Sequence, residues 1–217
     1  MNQNLTEMVL ILDMSGSMSP LTSDTIGGYN TLINQQKNEP GNAKVTTVLF
    51  DNRYIMLHDS VDIQEVSEMT AREYMPCGMT AMLDAIGRTI NSVGQRLANM
   101  PEEERPAKVI FTIITDGYEN ASKEFTYSKV KEMIEHQRNK YNWIFTFIGA
   151  NIDTAEVGNN LGIDAKLSKT YTASKEGTES VFMATSKAMS YTRGVGGQSV
   201  NCCAFADSLS DILDEVE

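Results

Sequence analysis

The sequence predicts an α/β protein in which helices cover both faces of an open, mostly parallel β-sheet. Three short apolar runs lie far apart in the chain, at residues 8–12, 109–115 and 143–149. Such runs are typical of strands buried on both faces, as the inner strands of a parallel sheet are. Segments of helical periodicity separate them, and this alternation predicts parallel strands joined by helical crossovers.

The first helix is expected soon after the first strand. Ser19 and Pro20 predict its start, with serine as the N-cap and proline at the first helical position. Leu21, Ile26 and Ile33 then contribute to an apolar stripe at helical spacing. The stripe predicts that this helix packs against the sheet along one side.

A β-hairpin is expected next, followed by a second helix. Two short runs at residues 45–50 and 54–58 flank an Asp-Asn-Arg sequence that is typical of a tight turn. The hairpin makes the second of these strands antiparallel to the others and places it at the edge of the sheet. Apolar residues from Met82 to Leu97 then recur at helical spacing and predict the second helix.

The second half of the chain continues the alternation of strands and helices. Asp153 predicts the cap of a short helix that ends near Gly162. The other predicted elements of this half are a strand at 109–115, a helix at 127–141, a strand at 143–149, a small strand at 165–167 and a helix at 174–191. Together, all these elements predict a Rossmann-like open sheet with one antiparallel edge strand.

We expect one domain at residues 1–193 and a C-terminal tail at residues 194–217, which begins with a glycine-containing linker. The tail ends in an acidic, amphipathic segment. The apolar residues of this segment recur at i, i+3, i+4 and i+7, and they are Leu209, Ile212, Leu213 and Val216. A helix this short is marginal in water by itself, so we expect it to dock on its own domain.

Composition and charge argue against several functions. The chain has 217 residues, 41% of them hydrophobic, which is enough for a sizeable core. Its net charge of −11 argues against a nucleic-acid-binding surface, which needs clustered lysines and arginines. No apolar run reaches the roughly 20 residues that a membrane helix needs, and the first residues lack a secretory signal. Three cysteines without metal-ligand spacing indicate a reducing compartment, so a cytoplasmic location is expected.

Two of the predicted strands each end on an aspartate. Asp13 closes the first strand, in the stretch ILDMSGSM, and Ser15 and Ser17 follow at alternate positions; Asp116 closes a later strand, and Thr80 precedes the helix between them. Ligands of open parallel sheets bind beyond the carboxyl ends of the strands, so these five side chains have reason to converge. Two carboxylates and three hydroxyls suit a hard divalent cation such as Mg²⁺ and leave room for an outside ligand.

The same residues resemble the metal-ion-dependent adhesion site of the von Willebrand factor type A family. The run DMSGS from Asp13 to Ser17 is similar to the family's Asp-x-Ser-x-Ser signature, while Thr80 in CGMTAM and Asp116 in TDGYEN match its two downstream parts. All three parts occur in the family's order. The resemblance implies that Ser15, Ser17 and Thr80 touch the metal, and that the two aspartates act directly or through water.

The resemblance also implies a function. In the family, an Asp or Glu of a partner protein often completes the coordination sphere of the metal. We therefore expect a non-enzymatic, metal-dependent protein-binding module, similar to the stand-alone intracellular bacterial members of the family. Mg²⁺ is the expected ion, with Mn²⁺ or Ca²⁺ as alternatives, and neither nucleic acid nor membrane is an expected partner.

A metal-dependent hydrolase, such as a phosphatase, is the alternative. A strand-end aspartate like Asp13 is typical of phosphatases that form an aspartyl-phosphate, but those carry a second acid where this chain has Ser15. The sequence places neither His58 nor His136 near Asp13. Taken singly, the acids and serines are compatible with ordinary turn residues and Thr80 with a helix N-cap, so the metal hypothesis rests on their combination.

Four methionines flank the candidate site in sequence. They are Met14, Met18, Met79 and Met82. Methionine side chains adapt to irregular surfaces, so these residues are expected either to form an apolar rim for a partner or to fill the core.

Overall fold

The computed structural model describes the backbone of residues 1–194 and 202–213, and the side chains of residues 1–194 and 204–210. Six strands form one sheet in the order β3-β2-β1-β4-β5-β6. The strands are β1 (Asn2–Asp13), β2 (Asn42–Phe50), β3 (Tyr54–Asp62), β4 (Pro106–Thr115), β5 (Ile144–Gly149) and β6 (Ser168–Thr170). All neighbours are parallel except β2 and β3, which pair antiparallel. The predicted fold class is confirmed, including the antiparallel strand at the edge.

In the described ranges, six α-helices surround the sheet. They are α1 (Thr22–Lys37), α2 (Met82–Asn99), α3 (Tyr127–Tyr141), α4 (Thr154–Leu161), α5 (Lys175–Gly194) and α6 (Cys202–Leu213). Helices α1, α5 and α6 pack together as one group, while α3 packs against both α2 and α4 in the other. Gly28 of α1 lies directly against the ring of Phe182 in α5, so a larger side chain at this position would collide with the ring. Within the described residues, every helix falls short of the length or apolarity that crossing a bilayer requires.

The centre of the sheet explains where the candidate site lies. Strand β1 is flanked on both sides by parallel strands, and its apolar residues from Met8 to Leu12 are fully buried. The register pairs Leu12 with Ile114 of β4 and Asp13 with Phe50 of β2. The carboxyl ends of β1 and β4 are therefore adjacent at one edge, about one strand spacing apart.

Two element predictions were wrong in detail. Ser19 and Pro20 do not start α1: they lie in a short 3₁₀ helix, Gly16–Leu21, and α1 begins at Thr22 with Leu21 as its N-cap. Ser15 is the N-cap of this 3₁₀ helix and Ser17 lies within it, so the helix itself holds part of the candidate site. The small strand predicted at residues 165–167 is another 3₁₀ helix, and the strand follows it as β6.

The C-terminal helix packs on the domain. Helix α6 lies against α5, and its side chains Phe205 and Leu209 are fully buried. The predicted linker beyond Gly194, the side chains of Ile212 and Leu213, and Val216 lie outside the described residues. The boundary at residue 193 stays a prediction.

Candidate metal centre

Asp13 is the last residue of β1, and its carboxylate is buried, with 1% of the residue exposed. The Ser15 backbone N–H donates to Asp13 Oδ1 at 2.7 Å, and the Thr115 hydroxyl donates to Asp13 Oδ2 at 2.6 Å. Thr115 ends β4, so the strand register brings its side chain to Asp13. Both oxygens of this carboxylate are thus held by neighbouring groups of the sheet edge.

The two serines connect Asp13 to the second aspartate. Ser15 Oγ and Ser17 Oγ are hydrogen bonded at 3.1 Å, and Ser17 Oγ donates to Asp116 Oδ1 at 2.6 Å. Asp13, Ser15 and Asp116 are buried, whereas Ser17 is exposed. Four of the five predicted residues therefore form one hydrogen-bonded chain that reaches the surface at Ser17.

Thr80 lies next to this chain. A β-carbon placed on Gly117 would lie 3.8 Å from Thr80 Oγ1 and 3.9 Å from Ser17 Oγ, so both hydroxyls face the same small space. Thr80 is not the N-cap of α2: Ala81 holds that position, and no side chain on the helix itself caps it. The hydroxyl of Thr80 is thus not used for capping, and the helix receives its cap from another part of the chain.

Burial changes the acidity of both aspartates. Burial raises the pKa of Asp13 to about 6, against the lowering effect of hydrogen bonds from Thr115 and Ser15. Burial also raises the pKa of Asp116, and the hydrogen bond from Ser17 opposes this effect. Among the described residues, no lysine or arginine forms an ion pair with either carboxylate. The ionised forms are therefore desolvated without a cation of the protein to compensate.

The donor set fits a hard divalent cation. Two carboxylates and three hydroxyls provide only oxygen atoms, which Mg²⁺ and Mn²⁺ prefer. Within the part of the chain that the structure describes, no group of three or more His, Cys, Asp or Glu side chains is arranged to hold a metal. A cation at this edge would therefore depend on Ser15, Ser17 and Thr80 together with the two aspartates, and on ligands from outside the chain.

The methionines divide between core and surface. Met14, Met18 and Met82 are buried, so of the two alternatives considered, core packing holds for these three residues. Met79, which is 52% exposed, remains beside the site. Two further exposed apolar residues lie at this edge, and no sequence pattern marked them. They are Met75, whose backbone N–H donates to Met14 Sδ, and Tyr118, whose hydroxyl accepts from the Asp153 N–H.

Sequence reasoning missed several supporting residues. Tyr74 is buried and donates its hydroxyl hydrogen to the backbone oxygen of Asp13 at 2.6 Å. Asn120 pairs with both backbone groups of Thr80: its Oδ1 accepts from the Thr80 N–H at 2.8 Å, and its own N–H donates to the Thr80 carbonyl at 3.0 Å. The position of Asn120 in TDGYEN, four residues after Asp116, was the one available signal.

Neither a protein-family model nor a curated protein sequence matches this chain. Solved structures do resemble it. Proximal thread matrix protein 1 from the mussel byssus, in a form with a zinc-occupied metal-ion-dependent adhesion site, matches with a TM-score of 0.57 and 17% identity, over 85% of this chain and 46% of that one. Manganese-loaded TRAP protein from Plasmodium vivax matches with a TM-score of 0.57 and 21% identity, over 80% of this chain and 70% of that one.

A third structure names the fold. The von Willebrand factor type A protein from Catenulispora acidiphila matches with a TM-score of 0.57 and 14% identity, over 87% of this chain and 42% of that one. The chain has the von Willebrand factor type A fold. In this fold, the candidate residues lie at the carboxyl edge of the sheet. The chain spans less than half the length of the mussel and Catenulispora proteins.

Proposed function

We propose that this protein is a metal-dependent protein-binding module with Asp13, Ser15, Ser17, Thr80 and Asp116 as its metal-binding residues. One observation carries the proposal: two buried carboxylates with raised pKa values lie in a hydrogen-bonded chain of hydroxyls, and within the described part of the chain no lysine or arginine pairs with either of them. A buried, unpaired carboxylate is costly unless a positive charge reaches it. Mg²⁺ is the proposed ion, with Mn²⁺ or Ca²⁺ as alternatives.

In this proposal, the hydroxyls of Ser15, Ser17 and Thr80 contact the cation. Asp13 and Asp116 neutralise its charge, directly or through water. A bound divalent cation supplies a concentrated positive charge that attracts a carboxylate. Ser17 is the exposed member of the set, so an outside ligand approaches from its side. The proposed ligand is an Asp or Glu side chain of a partner protein.

The surface around the site suits a protein partner. Met75, Met79 and Tyr118 are each more than half exposed at this edge, and they offer apolar contact area beside the proposed metal. Large exposed apolar groups next to a polar centre are typical of protein-binding surfaces. A reducing, cytoplasmic setting, as in intracellular bacterial proteins of this fold, is part of the proposal, and the free thiol of the exposed Cys77 is compatible with it.

A phosphatase that forms an aspartyl-phosphate would use Asp13 as its nucleophile, but such enzymes carry a second acid where this chain has Ser15. Neither described histidine lies beside Asp13 to act as the proton donor: His58 is buried in β3, where its Nδ1 lies 3.2 Å from the Tyr29 hydroxyl, and His136 packs edge-on against Tyr141 of α3. We therefore propose binding without catalysis.

The test is capture of partner proteins on the immobilised chain, in Mg²⁺ and in excess chelator. We expect a partner that is retained only with Mg²⁺ and is lost with Thr80→Ala, because that variant removes one proposed ligand. Thr31→Ala, an exposed change on α1, is the matched control and should retain the partner. A partner held equally with chelator would contradict the proposal, as would metal-dependent hydrolysis of a generic phosphoester that Thr80→Ala abolishes.

A further inference from the structure

The loop that follows Asp116 is tied to the first turn of α2 by one carboxylate. Glu119 Oε2 accepts from the backbone N–H of Leu83 at 2.9 Å and from the Ser122 hydroxyl at 2.7 Å. Its other oxygen, Oε1, accepts from the backbone N–H groups of Ala121 at 2.9 Å and Ser122 at 2.7 Å. One oxygen of Glu119 thus folds the loop, and the other connects it to the helix.

The helix in turn holds the loop. Asp84, in the first turn of α2, accepts three backbone N–H groups of the loop at 2.9 Å each; they belong to Lys123, Glu124 and Phe125. The Asp84 backbone N–H donates to the Ser122 hydroxyl at 3.0 Å. Together with the two bonds between Asn120 and the Thr80 backbone, these contacts form a reciprocal clamp between loop and helix start.

The clamp joins two of the proposed metal ligands. Asp116 lies three residues before Glu119, and Thr80 lies three residues before Leu83. Helix α2 has no side-chain cap of its own, so its first free N–H groups depend on this loop. A movement of the loop away from α2 would separate Asp116 from Thr80.

We propose that Glu119 is a positioning residue of the metal site, and this inference rests on the proposed function. Glu119 does not touch the cation; it sets the spacing between the loop that carries Asp116 and the segment that carries Thr80. The carboxylate is needed because each of its two oxygens accepts two hydrogen bonds, and it lies at the positive end of the α2 dipole. An amide at this position offers one accepting oxygen and one donating nitrogen, so it cannot satisfy both sides.

The experiment compares two variants of the full chain by calorimetric titration with Mn²⁺. Glu119→Gln keeps the side-chain size but loses acceptance on one side of the clamp, and we expect at least a ten-fold weaker Mn²⁺ affinity, as is typical when groups that orient metal ligands are changed. Glu124→Gln makes the same chemical change in the same loop but leaves the clamp intact, because Glu124 contributes only its backbone N–H to the clamp and its side chain pairs with Arg88 outside it. We expect its affinity to stay within two-fold of the unaltered protein.

A purely structural role would give a different result. If Glu119→Gln lowers the melting temperature of the metal-free protein but binds Mn²⁺ as tightly as the unaltered chain, the inference is wrong while the proposed function stands. If the unaltered chain binds no Mn²⁺, both fail. Should Glu119→Gln not fold, Ser122→Ala removes only the hydroxyl of the clamp; an affinity loss of a few-fold supports the inference, and an unchanged affinity overturns it.

Discussion

Two buried acids lie six residues apart on β1, and only one of them is paired with a basic side chain among the described residues. Glu7 and Asp13 are each 1% exposed. Glu7 is paired with Arg96 of α2 at 3.0 Å and accepts from the hydroxyls of Thr46 and Ser60. Asp13, at the carboxyl end of the same strand, accepts hydrogen bonds from Thr115 and Ser15 and lies near a second acid, Asp116.

The two ends of β1 differ in where the compensating positive charge comes from. A buried carboxylate needs a positive charge or a proton, since desolvation of the ionised form is costly. At Glu7 the chain itself supplies the cation, Arg96, so this carboxylate needs no positive charge from outside. At Asp13 the chain supplies hydrogen bonds but no ion pair among the described residues, and burial raises the pKa of the carboxyl group. Under the proposed function, this end of the strand receives its cation from solution.

Removing the cation that pairs with Glu7 should have the largest effect on the free energy of unfolding. Arg96→Ala leaves Glu7 buried without its partner, and we expect a loss of about 3–5 kcal/mol in the free energy of unfolding. Urea denaturation measures it. The double variant Glu7→Gln with Arg96→Met should recover part of the loss, because neither change leaves a charge behind. A loss below about 1 kcal/mol in Arg96→Ala would contradict the claim that Arg96 compensates the buried carboxylate of Glu7.

Neutralising Asp13 should raise the free energy of unfolding of the metal-free protein, whereas Arg96→Ala should lower it. The pKa of Asp13 in the folded state is raised to about 6 from 3.8, so its stabilising contribution is present below pH 4 and lost as the pH rises through 6. Asp13→Asn should therefore be more stable than the unaltered protein at pH 7, by on the order of 3 kcal/mol, and equal to it at pH 4. Urea denaturation in chelator at both pH values measures the difference.

A third buried acid, Asp51, provides the control for the direction of this stability change. Asp51 is buried beside Arg53, and the hydrogen bonds from Arg53 hold its pKa below the ordinary value despite burial. Its contribution is present above pH 4 and lost on acidification, so Asp51→Asn should destabilise the protein at pH 7. If both Asn variants shift stability in the same direction, the proposed contrast between paired and unpaired acids is wrong.

The smallest effect is expected where both partners are in water. Arg88 and Glu124 form an ion pair, but their side chains are 41% and 52% exposed. Glu124→Gln should change the free energy of unfolding by less than about 1 kcal/mol, and the effect should shrink in high salt. A larger change, or one that persists at 1 M salt, would contradict the claim that this exposed ion pair stabilises the protein less than the buried pair of Glu7 and Arg96 does.

The convergence of the two aspartates of the candidate site could be predicted from the sequence. Asp13 and Asp116 each end an apolar run, and the edge of a parallel sheet brings such ends together whatever the loops do. The clamp of Glu119 and Asp84 could not be predicted, because its partners are backbone N–H groups about 40 residues away in sequence. The start of α1 was missed for a local reason: Ser19 and Pro20 are compatible with a 3₁₀ turn as well as with an α-helix.

Calorimetric titration of Mg²⁺ or Mn²⁺ into the purified chain at pH 7 tests the central claim most directly. One cation should bind per chain, and Asp13→Asn should abolish binding while remaining folded. Asp59→Asn is the matched control, since Asp59 lies beside Arg96, the partner of Glu7, and takes no part in the proposed metal site. The Asp59→Asn variant should bind the cation as the unaltered chain does. An unaltered chain that binds neither ion, or an Asp13→Asn variant that binds as tightly as the unaltered chain, would contradict the account.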